Sequence, residues 1–231
     1  MLVCILLILG TWNGVMGTDD ICNIPSYRAC AIPEETRNFP KTEEDINRQC
    51  PYVAQHLECL KDYADKCGYE NVHQEFSEEK HQTLKNLVED ICQKDSQLHL
   101  RIVQNIGCIS ELMDNFQNEC REYLRNKTAM LRQYTRNKEV EENYDESTYN
   151  VELWRPFLCV TESLGVACFA SEASKRCGSD TRGLVLELVA RSGSIKEACP
   201  PVVGDRINEL IRLLELEIEE ERLLNEIINK E

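Results

Sequence analysis

The cysteines are the feature of this sequence that most constrains its fold. Thirteen are present, and Cys4 lies in an apolar leader, so twelve remain for the body of the chain. No two of these are closer than Cys59 and Cys67, whereas metal sites use closely spaced pairs such as Cys-x-x-Cys. An even, widely spaced set predicts up to six disulfides with the pairing left open. The predicted disulfide cysteines are Cys22, Cys30, Cys50, Cys59, Cys67, Cys92, Cys108, Cys120, Cys159, Cys168, Cys177 and Cys199.

The amino terminus has the pattern of a secretory signal peptide. An apolar run from Leu2 to Leu9 is followed by small residues up to Gly17, just before Asp19 and Asp20. We therefore expect a signal peptide over residues 1–17 and a secreted, extracellular protein, which agrees with a disulfide framework. The run is shorter than the ~20 apolar residues that span a bilayer, and no later window approaches that length, so no membrane insertion is expected.

The twelve cysteines fall into two sets of six with similar spacing. Eight residues separate Cys50 from Cys59 and also separate Cys159 from Cys168. This rhythm favours two tandem helical modules, residues 18–107 and 108–203, although helices of similar length could produce such intervals by chance. The second set is longer between its second and third cysteines, where the acidic stretch 137–150 predicts an exposed loop.

Helical periodicity occurs in most windows and strand alternation in almost none, so the predicted fold is all-α, a disulfide-stapled helical bundle. Thr42 and Ser77 resemble helix starts because each precedes acidic residues. Pro51 and Pro156 are expected in the first turns of helices that carry Cys59 and Cys168. In such a helix Cys59 and Cys67 would be about 12 Å apart, too far to bond each other.

Two further helices are predicted from apolar stripes. The first is long and carries a stripe that ends with Cys120 and Tyr123, and residues 204–231 are expected to form an acidic amphipathic helix. Glu217 and Glu221 would interrupt a coiled-coil seam, so we expect packing on the protein's own body and a monomer rather than a coiled-coil oligomer. The long stripe, also a candidate apolar ligand face, begins with Ile102, Ile106, Ile109, Met113 and Phe116.

The sequence contains no recognisable pattern of an active site. None of its four histidines lies in a metal-binding or hydrolase motif, so we expect no catalytic residues, no metal, no cofactor and no enzymatic activity. The formal net charge of −15 argues against nucleic acid and anionic membranes as partners. Asn126, in the sequence Asn-Lys-Thr, is a candidate site for an N-linked glycan.

The chain resembles the cysteine-rich secreted proteins of arthropods typified by the 27 kDa haemolymph glycoproteins. The resemblance is carried by the segment Cys59–Gly68, the helix Leu84–Cys92 and the span Cys108–Cys120. It implies a non-enzymatic protein of a body fluid or gland secretion, of haemolymph, venom or silk type, that binds a protein partner or serves as a structural component. One alternative is a carrier of a small hydrophobic ligand in a helical cavity. Another is a toxin or protease inhibitor, for which residues 22–50 and 137–150 are the candidate loops.

Overall fold

The computed structural model is built of helices, and no strand occurs in the ranges it describes, which are residues 21–36, 38–72, 76–142, 144–201 and 204–229. The expected signal peptide and His73 lie outside these ranges. The all-α, disulfide-rich fold class is therefore confirmed. The α-helices are α1 (Ser26–Ala29), α2 (Glu43–Cys67), α3 (Glu78–Cys92), α4 (Gln97–Glu142), α5 (Glu146–Tyr149), α6 (Arg155–Cys177), α7 (Ser179–Ser192), α8 (Ser194–Ala198), α9 (Gly204–Leu213) and α10 (Ile218–Ile228).

The chain divides into two compact units, Met1–Ser110 and Glu111–Glu231. The division falls within α4, so each unit contains part of that helix. It lies close to the boundary expected between residues 107 and 108.

In the first unit, α2 is a single 25-residue helix that packs against α3 and the short α1. It begins at Thr42, as predicted: the Thr42 hydroxyl accepts from the backbone N–H of Asp45, whose carboxylate accepts from the N–H of Thr42. The prediction that Pro51 occupies a first turn is wrong, because this capping box starts the helix eight residues earlier. Pro51 is interior, where it removes one backbone hydrogen bond.

The capping box of α2 gives a first testable prediction. Thr42→Ala removes the hydroxyl that satisfies the Asp45 N–H, so the free energy of unfolding should fall by about 1 kcal/mol, measured by urea denaturation. Thr42→Ser retains the acceptor and is the matched control, expected within a few tenths of a kcal/mol of wild type. Equal losses in the two variants would contradict the role of the hydroxyl.

Helix α3 begins at Ser77, as predicted, with the Ser77 hydroxyl accepting from the Lys80 N–H at 3.1 Å. It buries Leu87 and Ile91, and a disulfide joins its last residue, Cys92, to α2. Its start signals and its apolar face were both visible in the sequence because they are local.

In the second unit, α6 is the central helix, and α7, α8, α9 and α10 all pack against it. Pro156 lies in the first turn of α6, as predicted. Helix α6 contributes deeply buried positions to the unit, and its Val160 and Leu164 are almost completely enclosed. The core cluster consists of Leu131, Phe157, Cys159, Val160, Leu164, Ile207, Leu210, Ile211, Leu214 and Leu224.

Two predicted elements differ in the structure. The stretch 137–150 was expected to be a loop, but α4 continues to Glu142 and α5 spans Glu146–Tyr149. Ion pairs along the helix, such as Lys138 with Glu142 at 3.1 Å, support it without an apolar stripe. The expected helix over residues 204–231 is broken into α9 and α10, with Glu215 between them in a left-handed conformation (φ 46°). Both pieces contribute to the core of their own unit.

Five disulfides are defined by their geometry. In the first unit they join Cys22 to Cys67, Cys30 to Cys59 and Cys50 to Cys92. In the second they join Cys120 to Cys168 and Cys159 to Cys199. Cys108 and Cys177 are also disulfide-bonded. The prediction that Cys59 and Cys67 bond different partners is confirmed.

Candidate interaction surface

The apolar stripe proposed as a ligand face is largely buried. Ile102, Ile106 and Ile109 are each 6% exposed, and Met113 is half-buried. The side chain of Phe116 lies outside the described part of the chain. The stripe is therefore not an open docking face, and its use as a ligand site stays a prediction.

Asn126 is exposed on the surface of α4, with Thr128 half-buried two residues later. Between them, Lys127 turns toward the core of the second unit: its Nζ donates to the carbonyl oxygen of Leu214 at 2.6 Å. That carbonyl lies one residue beyond the end of α9, where a cation also interacts favourably with the helix dipole. The acceptor side chain of the sequon, Asn126, is therefore exposed to solvent. The side chain of the central residue, Lys127, is held by a hydrogen bond within the protein.

The three described histidines are buried in the first unit. His56 Nδ1 bonds the carbonyl oxygen of Cys30 at 2.5 Å, and His99 Nδ1 bonds that of Ile91 at 2.7 Å. His81 Nε2 is buried with no hydrogen-bond partner. Burial lowers the pKa of His56, and the bond to Cys30 only partly offsets this. These rings are held in the protein interior, where a substrate in solvent does not reach them.

In the described ranges, no group of three or more His, Cys, Asp or Glu side chains is arranged to hold a metal ion. The cysteines from Cys22 to Cys199 are in disulfides and have no thiolate to offer a metal.

The prediction that no window after the expected signal peptide approaches the length of a membrane span is wrong, because one helical run, residues 146–177, is long and apolar enough by length and composition. The structure places 56% of its most apolar window inside the protein. Ala170 and Ala173 in this run are completely buried, as are the α6 residues of the core cluster. The apolar character of α6 is therefore accounted for by its central position in the second unit.

The second unit exposes an aromatic patch on the turn that precedes α6. We call Val151 and Trp154 the Trp154 patch; they are 37% and 43% exposed. They lie three residues apart on a π-helical turn, Asn150–Trp154, a rare element that is common at functional sites. The Trp154 ring stacks on the buried Phe157 ring, with centroids 5.5 Å apart. The core thus fixes the tryptophan in place while much of it remains in contact with solvent.

A polar network holds this turn from one side. Arg206, on α9, contacts the carboxylates of Glu152 at 3.4 Å and Glu209 at 2.5 Å. Tyr134, on α4, donates to Glu209 and accepts from Arg206. This hydrogen bond from Tyr134, with the charge of Arg206, lowers the pKa of Glu209 despite partial burial. Side chains from α4, the π-helical turn and α9 therefore meet at the guanidinium of Arg206, beside the Trp154 patch.

Sequence reasoning missed this surface. A signal was available, because Trp154 is the only tryptophan outside the expected signal peptide. Its exposure could not be read from periodicity, since Phe157 three residues later is buried. What the surface offers chemically is an aromatic ring and several carboxylates. Comparison with protein-family models, with curated proteins and with solved structures finds no match to this chain.

Proposed function

We propose that the protein is a secreted, non-enzymatic glycoprotein of an extracellular fluid or gland secretion that acts through its surface, by binding or as a structural component. The observation that carries this proposal is the state of the cysteines: each one from Cys22 to Cys199 is in a disulfide. Disulfides at this density persist in oxidising compartments and are rare in the cytosol. They suit a protein that must stay folded outside the cell.

The charge of the chain supports the same proposal. A formal net charge of −15 keeps a protein soluble at high concentration and repels polyanions such as nucleic acid. The buried histidines support a non-enzymatic role, because the usual general base near neutral pH is enclosed in the described part of the chain.

The pairing pattern supports two tandem six-cysteine modules. In the first set, the second cysteine bonds the fourth and the third bonds the sixth. The same ranks are bonded in the second set, as Cys120–Cys168 and Cys159–Cys199. Six cysteines can be paired in 15 ways, so this agreement favours duplication over chance spacing. In this proposal the scaffold that carries the function consists of two tandem six-cysteine modules.

The experiment that tests the proposal is intact-mass spectrometry of the chain expressed through a eukaryotic secretory pathway. We expect a secreted species that begins at Thr18 and has 231 − 17 = 214 residues. Reduction should release twelve thiols, and a glycosidase should remove one N-linked glycan. Retention in the cell, or free thiols before reduction, would overturn the proposal.

Two further readouts come from the same preparation. Asn126→Gln should abolish the glycan, whereas Asn137→Gln, exposed on the same helix but outside a sequon, should leave it. Under non-denaturing conditions the mass should be that of the protein alone. A stoichiometric apolar molecule that leaves on unfolding would replace the surface-acting role with the carrier role.

A further inference from the structure

The exposure of the Trp154 patch favours contact with a binding partner. A tryptophan ring that is partly exposed and rigidly backed by Phe157 contributes a large apolar contact at small cost in conformational entropy. The π-helical turn adds a second exposed apolar side chain, Val151, three residues away in sequence. Both features are typical of the centre of a binding surface.

Carboxylates outnumber cations around this patch. Glu152 and Glu209 pair with Arg206, whereas Glu142 pairs with Lys138 at 3.1 Å and also lies in the field of Arg206. Between residues 138 and 155 the chain carries six acidic residues and two basic ones. The acidic residues of this segment are Glu139, Glu141, Glu142, Asp145, Glu146 and Glu152.

The negative charge around the Trp154 patch determines which class of partner can bind there. A second copy of this chain would bring like charges together, which disfavours a dimer through this face. Anionic lipid and nucleic acid are repelled for the same reason. An arginine guanidinium is attracted both to the carboxylates and to the face of an indole ring.

We propose that the Trp154 patch and its surrounding carboxylates form a docking surface for an arginine-containing, partly apolar peptide segment of a partner protein. The proposal rests on the surface-acting function proposed above and names the chemistry of the partner. In the complex a guanidinium stacks on the exposed part of Trp154. Neighbouring guanidinium groups pair with Glu142 and Glu146, while apolar side chains of the segment contact Val151.

The secreted protein provides its own reporter, because removal of residues 1–17 leaves Trp154 as its only tryptophan. The probe is a twelve-residue amphipathic peptide of arginine and leucine, titrated into the protein at low salt while Trp154 fluorescence is followed. The control peptide has citrulline, which is neutral, in place of each arginine. We expect saturable binding of the arginine peptide and at least ~10-fold weaker binding of the citrulline peptide.

Single-residue variants show where the peptide binds. Their binding of the peptide is measured by calorimetry. Trp154→Ala and Val151→Ser should each weaken binding of the arginine peptide, Trp154→Ala by ~10-fold or more. Ile218→Ser is the matched control, because Ile218 is an apolar side chain of the same unit, 83% exposed, and its loss should leave the affinity unchanged. Glu146→Gln should weaken binding by a smaller factor that shrinks as salt is added. Circular dichroism establishes that each variant is folded.

Three results would overturn the docking surface: equal affinity for the two peptides, an unchanged affinity of Trp154→Ala, or a loss in Ile218→Ser as large as in Trp154→Ala. A dimer in analytical ultracentrifugation that Trp154→Ala dissociates would also overturn it, by making a second copy the occupant. The mass-spectrometric test is independent of these results. A protein that is secreted with twelve paired cysteines but binds no peptide refutes the docking surface alone.

Discussion

Removal of the Cys159–Cys199 disulfide, by Cys159→Ala together with Cys199→Ala, is expected to lower the free energy of unfolding of the second unit by about 3–4 kcal/mol. The bridge joins residues 40 apart in sequence, and closing a loop of that size accounts for roughly 4 kcal/mol in the chain-entropy model. Cys159 is also completely buried in the core cluster, so the lost sulfur leaves unfilled volume.

The measurement is urea denaturation of the secreted protein, followed by the fluorescence of Trp154. The matched comparison is removal of Cys120–Cys168, a bridge of the same unit with a sequence separation of 48. Because the two loops are similar in length, their entropic contributions should differ by only a few tenths of a kcal/mol. A loss below ~1 kcal/mol for the Cys159–Cys199 pair would show that the reduced chain keeps this region folded without the bridge.

Local signals in the sequence were sufficient to predict the features that depend only on neighbouring residues. Thr42 and Ser77 were assigned as helix starts because capping depends on the next three residues. The geometric argument that Cys59 and Cys67 have different partners also needed only the rise of a helix. The pairing of the twelve cysteines could not be predicted, because it depends on which helices meet in space.

The errors at residues 137–150 and 204–231 share one cause, which is that apolar periodicity is only one of several things that extend or end a helix. Residues 137–142 lack an apolar stripe, yet pairs such as Lys138–Glu142 keep them helical. Residues 204–231 were expected to form one helix, yet the chain breaks at Glu215, where Lys127 donates to the carbonyl oxygen of Leu214, just beyond the last residue of α9. That donor lies 87 residues away in sequence, so no local window contains it.

The Trp154 patch illustrates why the candidate site was harder to predict than the fold. Its outward position depends on a π-helical turn, and the network beside it depends on Arg206, which is 52 residues further along the chain. Composition did identify the acidic character of the segment. The combination of an exposed ring with convergent carboxylates appears only when α4, α6 and α9 are in place.

Acidification is expected to destabilise the first unit in a pH range where the second unit is unaffected. His56 is buried, and desolvation lowers its pKa below the ordinary value of 6.5. Between the lowered pKa and 6.5 the unfolded chain binds more protons than the folded chain. The contribution of His56 to stability is therefore fully present above pH 6.5 and is lost as the pH falls from 6.5 through the folded pKa, at up to about 1.4 kcal/mol per pH unit.

The measurement is hydrogen exchange of the intact protein at pH 7.5, 6.5 and 5.5, corrected for the pH dependence of intrinsic exchange and read separately for each unit. Residues 111–231 contain no histidine, so the second unit is an internal control for this window. His56→Gln retains a donor for the carbonyl of Cys30 but does not titrate, and it should reduce the pH dependence of the first unit. Carboxylates with lowered pKa values, such as Asp45 and Glu58, act only at lower pH. A pH dependence that persists unchanged in His56→Gln would contradict the role of His56 and assign the acid sensitivity to another group.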